Sequence, residues 1–293
     1  MRIEIISKLV AGRMIAEMRH KLHGGGVLHP RAHYVGDVPF AAQGYAIAAG
    51  FGGGVVSEIG GATETLAAKL GIKMSTLPAG KFIFQGVADV AFKGCKLAEV
   101  PFTNGKFEKL LELEPARLAA IVADPAKRLE KSLSAVDSDH KDEAEDAPMV
   151  FISHTEAEEI AKLCGKRLPN ELEQERAASW TDGRKYPFGD TFDASKVTFN
   201  GKGTRSVYAH RDGASPEEIL DLSGNVWEWM ANPYGQIDLS DPENPNLPVQ
   251  GNTFVLRGGS WYVSNAVFLR GDFRDFGDPD GRNVTFGFRF AED

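Results

Sequence analysis

Four histidines lie close together near the start of the chain: His20, His23, His29 and His33. Imidazole is the commonest side-chain ligand of transition metals, so this cluster could hold copper or iron for an oxidative reaction. Carboxylate or cysteine ligands at metal-binding spacing do not accompany the histidines. We therefore interpret them as surface or loop residues and keep a metal-dependent oxidative enzyme as the alternative.

A second set of candidate ligands is the pair Asn225 and Glu228, whose side-chain oxygens would suit Ca²⁺. Calcium takes about six to eight oxygen ligands, and two side chains do not complete such a shell. The other interpretation is that Asn225 caps a turn and Glu228 pairs with an arginine. The sequence thus requires no cofactor, and structural calcium is a candidate only.

The composition excludes several classes of protein. The 293 residues include 33 Lys and Arg against 41 Asp and Glu, a net charge of −8, which argues against nucleic acid as a partner. Two cysteines, Cys95 and Cys164, are too few for a disulfide-rich scaffold and exclude a CxxC zinc module.

Targeting signals are also missing from the sequence. Charged residues interrupt the first thirty positions, so no secretory signal is predicted, and no apolar run reaches the roughly 18 residues of a membrane span. We expect no membrane insertion. The location is unknown from sequence: cytoplasmic, virion-associated or exported by a non-standard route.

The elements that must position these residues can be predicted in part. The alternation of Phe82 and Phe84 predicts a strand after the turn that begins at Leu77. Leucine spacing predicts helices over residues 104–135, broken by prolines at 115 and 125.

Two further helices should follow. Ser153 with Glu156 three residues later is a capping-box pattern, and Gly165 should end that helix. Pro169 precedes the second helix, and after Trp180 short strands alternate with turn residues to the end of the chain.

Residues 1–72 differ in composition from the rest. They are rich in Gly and Ala, and Ile5, Leu9 and Arg13 have helical spacing. The sequence leaves the role of this N-terminal segment open, with an assembly arm of a homo-oligomer as one candidate, and we predict that residues 73–293 form the folded domain.

The sequence resembles the formylglycine-generating-enzyme-like, or sulfatase-modifying-factor, family. Six motifs occur in the family's order: LPAGKF (77–82), GKRLPNELEQERAA (165–178), YPFGD (186–190), DLSGNVWEW (221–229), RGGSW (257–261) and GFR (287–289). The resemblance implies an α+β, C-type-lectin-like fold of the formylglycine-generating-enzyme type, with irregular loops and a small twisted antiparallel sheet.

The resemblance does not extend to the family's catalytic residues. Formylglycine-forming members use two cysteines after the RGGS motif, and the corresponding positions here are Val263 and Phe268. Iron-dependent sulfoxide-synthase relatives carry an H-x-x-x-H-x-E motif. His29 and His33 have its first spacing, but Val35 replaces the glutamate. We therefore predict no catalytic residues, since a fold does not by itself set function.

Residues 257–289, named here the variable segment, resemble the variable region of proteins diversified by retroelements. The constant frame of that region is present: Arg257, Gly258, Gly259, Ser260, Trp261, Leu269, Arg270, Arg274, Pro279, Asp280, Arg282, Gly287, Phe288 and Arg289. The candidate ligand-binding residues are the positions between them: Tyr262, Val263, Ser264, Asn265, Gly271, Asp272, Phe273, Asp275, Phe276, Gly277, Asp278, Gly281, Asn283, Val284 and Thr285.

The residue types in this segment fit that resemblance. Diversification acts on adenines of AAC-type codons, and NNC codons cannot encode Trp, Lys, Glu, Gln or Met. These five types make up 54 of the 293 residues, yet none stands between Tyr262 and Phe286. Chance absence over such a window is on the order of one per cent. An incidental glycine-rich loop is the alternative.

We therefore predict a non-catalytic protein that recognises a protein or glycan ligand on another cell, a virus or a partner molecule. Tyr262, Phe273 and Phe276 offer large apolar area with few rotamers. Five polar side chains should add directional hydrogen bonds to the ligand: Asn265, Asp272, Asp275, Asp278 and Asn283. Three frame arginines should lie beneath and pair with Asp280 and backbone carbonyls: Arg270, Arg274 and Arg282.

Overall fold

Caps and prolines set the helices of the computed structural model, which describes residues 64–293. Pro115 and Pro125 each begin a helix, where a missing N–H costs nothing, so the predicted breaks are confirmed. The helices are α1 (Leu66–Lys69), α2 (Asn104–Leu113), α3 (Pro115–Ile121), α4 (Pro125–Ser134), α5 (His154–Leu163) and α6 (Glu171–Ser179). The histidine cluster and most of the candidate assembly arm lie outside the described residues.

Capping boxes fix the starts of α5 and α6. The Ser153 side chain accepts from the Glu156 N–H while the Glu156 carboxylate accepts from the Ser153 N–H, as predicted. Asn170 and Glu173 form the same reciprocal pair at the start of α6. Each box satisfies N–H groups that the helix leaves unpaired, so both helices begin at defined residues.

Nine strands form three small sheets in the described residues. The strands are β1 (Met74–Leu77), β2 (Gly80–Phe84), β3 (Ala88–Phe92), β4 (Cys95–Ala98), β5 (Trp227–Pro233), β6 (Phe254–Arg257), β7 (Asp275–Gly277), β8 (Phe286–Gly287) and β9 (Ala291–Glu292). The sheet orders are β1-β4-β9, β2-β3 and β7-β6-β5-β8. All pairs are antiparallel except β5 with β8, whereas the sequence predicted one antiparallel sheet.

One cluster of the hydrophobic core contains the buried side chains of β2 and β3. Phe82 and Phe84 are fully buried, which confirms the alternation read from the sequence, and their rings meet edge to face at 5.8 Å. A second aromatic group joins Phe102 to Phe288 and Phe290 near the end of the chain. Within residues 64–293, no helix combines the length and apolarity needed to cross a bilayer.

Helix α6 is buried although most of its residues are polar. Glu171 and Glu175 are fully buried, and Glu173 and Arg176 are nearly so. Glu173 pairs with Arg167 at 2.7 Å, and Arg176 pairs with Glu217 at 3.0 Å. Buried charges persist only when they are paired, so α6 depends on partner side chains that lie outside the helix.

The most enclosed ion pair joins Arg289 to Glu228, and both side chains are 0% exposed. The guanidinium donates to the two carboxylate oxygens at 2.5 and 2.6 Å. It also donates to the carbonyls of Ala98, Leu220 and Asp221 at 2.9–3.2 Å. Arg289 therefore links β5, β4 and the loop before the DLSGNVWEW motif.

Replacing Arg289→Ala should lower the free energy of unfolding by about 3–5 kcal/mol, because Glu228 would remain buried without its partner. Urea denaturation measures the change. Lys202→Ala is the control, since its ion pair with Asp139 is exposed on both sides and should contribute nothing measurable. Equal stability of the two variants would contradict this role for Arg289.

Candidate functional site

The variable segment begins at the end of β6 and continues into a short 3₁₀ turn (Ala266–Leu269). It then forms β7, at one edge of the four-stranded sheet, and β8, at the other edge. Only five of its residues between β6 and Phe288 lie in strands, those of β7 and β8. Side-chain anchors must therefore hold most of its backbone in place.

Arg257 provides the first anchor. Its guanidinium is buried against the carboxylate of Glu175 and donates to the carbonyl of Gly271 at 2.7 Å. Glu175 also accepts from the backbone and side-chain amides of Gln85 at 2.5 Å each. Gln85 in turn donates to the carbonyl of Asp272 at 2.9 Å. The tip of the β2–β3 hairpin and α6 thus hold the segment at residues 271–272.

Arg274 and Arg282 provide two more anchors on helix carboxylates. Arg274 donates to both oxygens of Glu171 on α6, at 2.6 and 3.0 Å. Arg282 donates to both oxygens of Glu156 on α5, at 3.0 and 2.9 Å. Burial alone would raise the pKa of Glu156, but hydrogen bonds from Arg282 and Ser153 hold it below its usual value. The carboxylate therefore stays ionised near neutral pH.

These partners differ from the predicted ones. Arg282 does donate to the backbone carbonyl of Asp280 at 2.9 Å, but its carboxylate partner is Glu156. Arg270 pairs with Asp272 inside the variable segment at 2.5–2.8 Å. The sequence prediction missed the helix carboxylates because the pairs span more than a hundred residues. The one available signal was the spacing of Glu171 and Glu175, four residues apart on one face of a helix.

The structure separates the candidate ligand-binding residues by burial. Tyr262 is 73% exposed and Phe276 is 52% exposed. The exposed positions are Tyr262, Ser264, Asn265, Phe276, Asp278 and Asn283. The half-buried positions are Val263, Asp272, Phe273, Asp275, Gly277, Gly281 and Val284, and the buried ones are Gly271 and Thr285.

Several of these positions pack inward and cannot serve as freely varied contacts. A Cβ at Gly271 would lie 2.3 Å from the Ser179 hydroxyl, and a Cβ at Gly277 would lie 2.5 Å from the Trp229 ring. Thr285 is 8% exposed. Packing therefore restricts these three positions, and their contact with a ligand stays a prediction.

Half-buried apolar side chains of the segment also contribute to packing. Val263 packs with a cluster around Tyr186 and Leu269, and Val284 packs with Val226. The Phe273 ring lies edge to face with Phe268, their centroids 5.0 Å apart. Phe273, predicted as a ligand contact, therefore has neighbours within the domain.

The five polar candidates are engaged within the segment. Four accept hydrogen bonds from backbone N–H groups one or two residues ahead, at 2.8–3.1 Å: Asn265, Asp275, Asp278 and Asn283. The carboxylate of Asp272 pairs with Arg270. These side chains brace their own turns. Their contact with a ligand stays a prediction.

The candidate calcium ligands do not fit a cation. Both Glu228 carboxylate oxygens accept from Arg289. The side-chain oxygen of Asn225 accepts from the backbone N–H of Arg205 at 3.2 Å. An arginine already occupies the position beside the carboxylate. Within residues 64–293, no group of three or more His, Cys, Asp or Glu side chains is arranged to hold a metal.

The two cysteines are not arranged for thiolate chemistry. Cys95 and Cys164 are 6% and 3% exposed. Burial raises the pKa of each thiol to about 12, and neither lies in the variable segment. Both thiols therefore stay protonated at neutral pH.

Comparisons with known proteins agree with this fold. Residues 61–293 match the sulfatase-modifying factor enzyme 1-like domain, a match that starts before the domain boundary predicted at residue 73. In solved structures, Treponema denticola variable protein 1 superposes with a TM-score of 0.57 at 16% identity, over 75% of this chain and 95% of that one. The predicted C-type-lectin-like fold of the formylglycine-generating-enzyme type is confirmed.

Curated relatives match a shorter part of the chain. Serine/threonine-protein kinase pkn1 of Chlamydia pneumoniae is 37% identical over 150 residues, which cover 50% of this chain and 24% of the kinase. Hercynine oxygenase of Mycobacterium tuberculosis is 36% identical over 163 residues, which cover 50% of this chain and 37% of the oxygenase. The chain thus spans 24–37% of the length of these relatives.

Replacing Gly271→Ala should lower the free energy of unfolding by about 1–3 kcal/mol, because the new Cβ meets Ser179 and Ala178 on α6. Ser264→Ala is the matched control, a small change at an exposed position of the same segment. Urea denaturation compares the two. If Gly271→Ala is as stable as Ser264→Ala, the close approach of the segment to α6 is wrong.

Proposed function

The chain belongs to the sulfatase-modifying factor enzyme 1-like family, and from this premise we propose that it is a non-catalytic recognition protein. Its variable segment would present diversified side chains to a protein or glycan ligand on another cell, a virus or a partner molecule. The domain would act as a rigid support, and no reaction would follow binding.

The observation that carries this proposal is the way the segment is anchored. Arg257, Arg274 and Arg282 pair with carboxylates of α5 and α6, while Tyr262 and Phe276 remain exposed between them. The anchors do not depend on the exposed side chains. A surface of this kind can change residues without changing its backbone, and binding need not order the chain.

The chemistry of the family's cysteine enzymes is not supported by these residues. Val263 and Phe268 stand where the resemblance places reactive cysteines, and neither can form a thiolate. Cys95 and Cys164 are buried elsewhere in the domain. Both observations favour binding over catalysis.

One specific observation favours the alternative, a metal-dependent oxidative enzyme: the 36% identity to hercynine oxygenase over half of this chain. Its candidate metal ligands are His20, His23, His29 and His33, which lie outside the described residues. Metal analysis of the purified full chain discriminates, because absence of stoichiometric iron and copper would contradict this alternative.

Sequencing the DNA beside the coding region tests the proposal. We expect a near-copy of the final codons beside a reverse-transcriptase gene, with adenines at codons of the exposed positions. Those positions are Tyr262, Ser264, Asn265, Phe276, Asp278 and Asn283. The codons of the anchoring arginines should lack such adenines, since their loss would unfold the segment. Adenines aligned with the arginine codons, or no near-copy, would contradict the proposal.

A further inference from the structure

Two exposed aromatic rings lie against each other at the edge of the four-stranded sheet. Tyr234 directly follows β5 and is 36% exposed, and Phe276 is the central residue of β7 and is 52% exposed. Their ring centroids are 4.8 Å apart at an interplanar angle of 41°. We name this pair the two-ring site. Tyr234 lies outside the variable segment, so the site combines a constant residue with a variable one.

Arg274 holds the constant ring in place. Its guanidinium lies 4.8 Å from the centroid of the Tyr234 ring and donates to the carbonyl of Gly235 at 3.0 Å. The same guanidinium is neutralised by the two oxygens of Glu171, which is fully buried. The rings are therefore pre-positioned, and the cation beside them is already paired. An anionic ligand would find no free charge at Arg274.

Three carboxylates lie within four residues of Phe276 along the chain. Asp275 is half-buried, Asp278 and Asp280 are exposed, and none of the three forms an ion pair within residues 64–293. Asp275 and Asp278 accept from backbone N–H groups, which fixes their direction but leaves their negative charge. The two-ring site therefore has an apolar centre, and the adjoining chain carries the negative charge of these three carboxylates, which we name the negative rim.

Part of the hydrogen-bonding capacity of the segment is already used within the domain. Asn265 and Asn283 each use the side-chain carbonyl in a turn, and Asp272 binds Arg270. A glycan presents many hydroxyl groups and needs free, planar hydrogen-bonding side chains. The apolar area of two rings, by contrast, suits an aromatic or aliphatic side chain.

From this geometry we propose that Tyr234 and Phe276 together bind an aromatic or aliphatic side chain of a protein partner that carries Lys or Arg beside it. The inference rests on the proposed function and assigns the ligand to the protein class. Tyr234 is a constant contact that every variant of the segment would share. The negative rim would speed association and make binding weaken as salt increases.

A random-peptide library displayed on phage is the probe, with the full chain immobilised. Recovered peptides are synthesised, and their Kd is measured by fluorescence anisotropy. We expect peptides with Trp, Phe or Leu next to Lys or Arg. Tyr234→Ala and Phe276→Ala should each weaken binding by about tenfold or more, the size of an interface hot spot. Tyr234→Phe keeps the ring and should retain wild-type affinity.

Tyr208→Ala is the matched control, because Tyr208 is 37% exposed and has Arg211 over its ring at 5.0 Å, away from the variable segment. It should not change the Kd. Thermal unfolding of each variant shows whether the domain is intact. Phe276→Ala, at a position that is 52% exposed, keeps the test valid if Tyr234→Ala unfolds.

Three outcomes would overturn the inference. Peptides whose binding depends on Tyr262 but not on Tyr234 or Phe276 would leave the proposed function standing and remove the two-ring site. Binding that is insensitive to salt would remove the role of the acidic rim. If the chain binds only a glycan array, and Phe276→Ala loses that binding, the two-ring site stands. The assignment of its ligand to proteins would then be wrong.

Discussion

Ion pairs between arginines of the variable segment and buried carboxylates of two helices determine the path of the segment. Arg257 and Arg274 form ion pairs with carboxylates on α6, and Arg282 forms one with a carboxylate on α5. Each pair loses hydration, and that loss is offset only when the planar guanidinium meets the carboxylate in good geometry. A shifted register would leave a charge buried without a partner. The segment can therefore follow one path although few of its residues lie in strands.

This constraint separates the residues that hold the fold from those that can vary. Gly271 and Gly277 let the segment lie directly against α6 and Trp229. Side chains such as Asp278 stabilise their own turns, so the loops need little support from a ligand. Tyr262 and Phe276 take no part in these anchors. A recognition surface requires a rigid backbone and exposed side chains that are free to vary. The entropy lost on binding is then small, because the chain is already ordered.

Local signals in the sequence predicted the elements well. Ser153 with Glu156, and the prolines at 115 and 125, gave correct helix starts because caps and missing N–H groups act within one turn. The order of the six family motifs predicted the C-type-lectin-like fold. Contacts between distant residues could not be predicted: nothing near Arg274 in the sequence indicates Glu171, and the crowding at Gly271 depends on α6. For Glu228 the sequence offered calcium or an arginine as the partner, but it could not indicate that the arginine is Arg289, 61 residues away.

We infer that the ion pairs, and not the displayed side chains, maintain the fold. Urea denaturation of two variants tests it most directly: the triple variant Tyr262→Ser, Ser264→Ala, Phe276→Ser, and the single variant Arg274→Ala. We predict that the triple variant keeps the wild-type free energy of unfolding within about 1 kcal/mol, as surface changes do. Arg274→Ala should lose about 3–5 kcal/mol, because Glu171 stays buried. A triple variant as unstable as Arg274→Ala would show that the displayed side chains maintain the fold as much as the ion pairs do, and would contradict this inference.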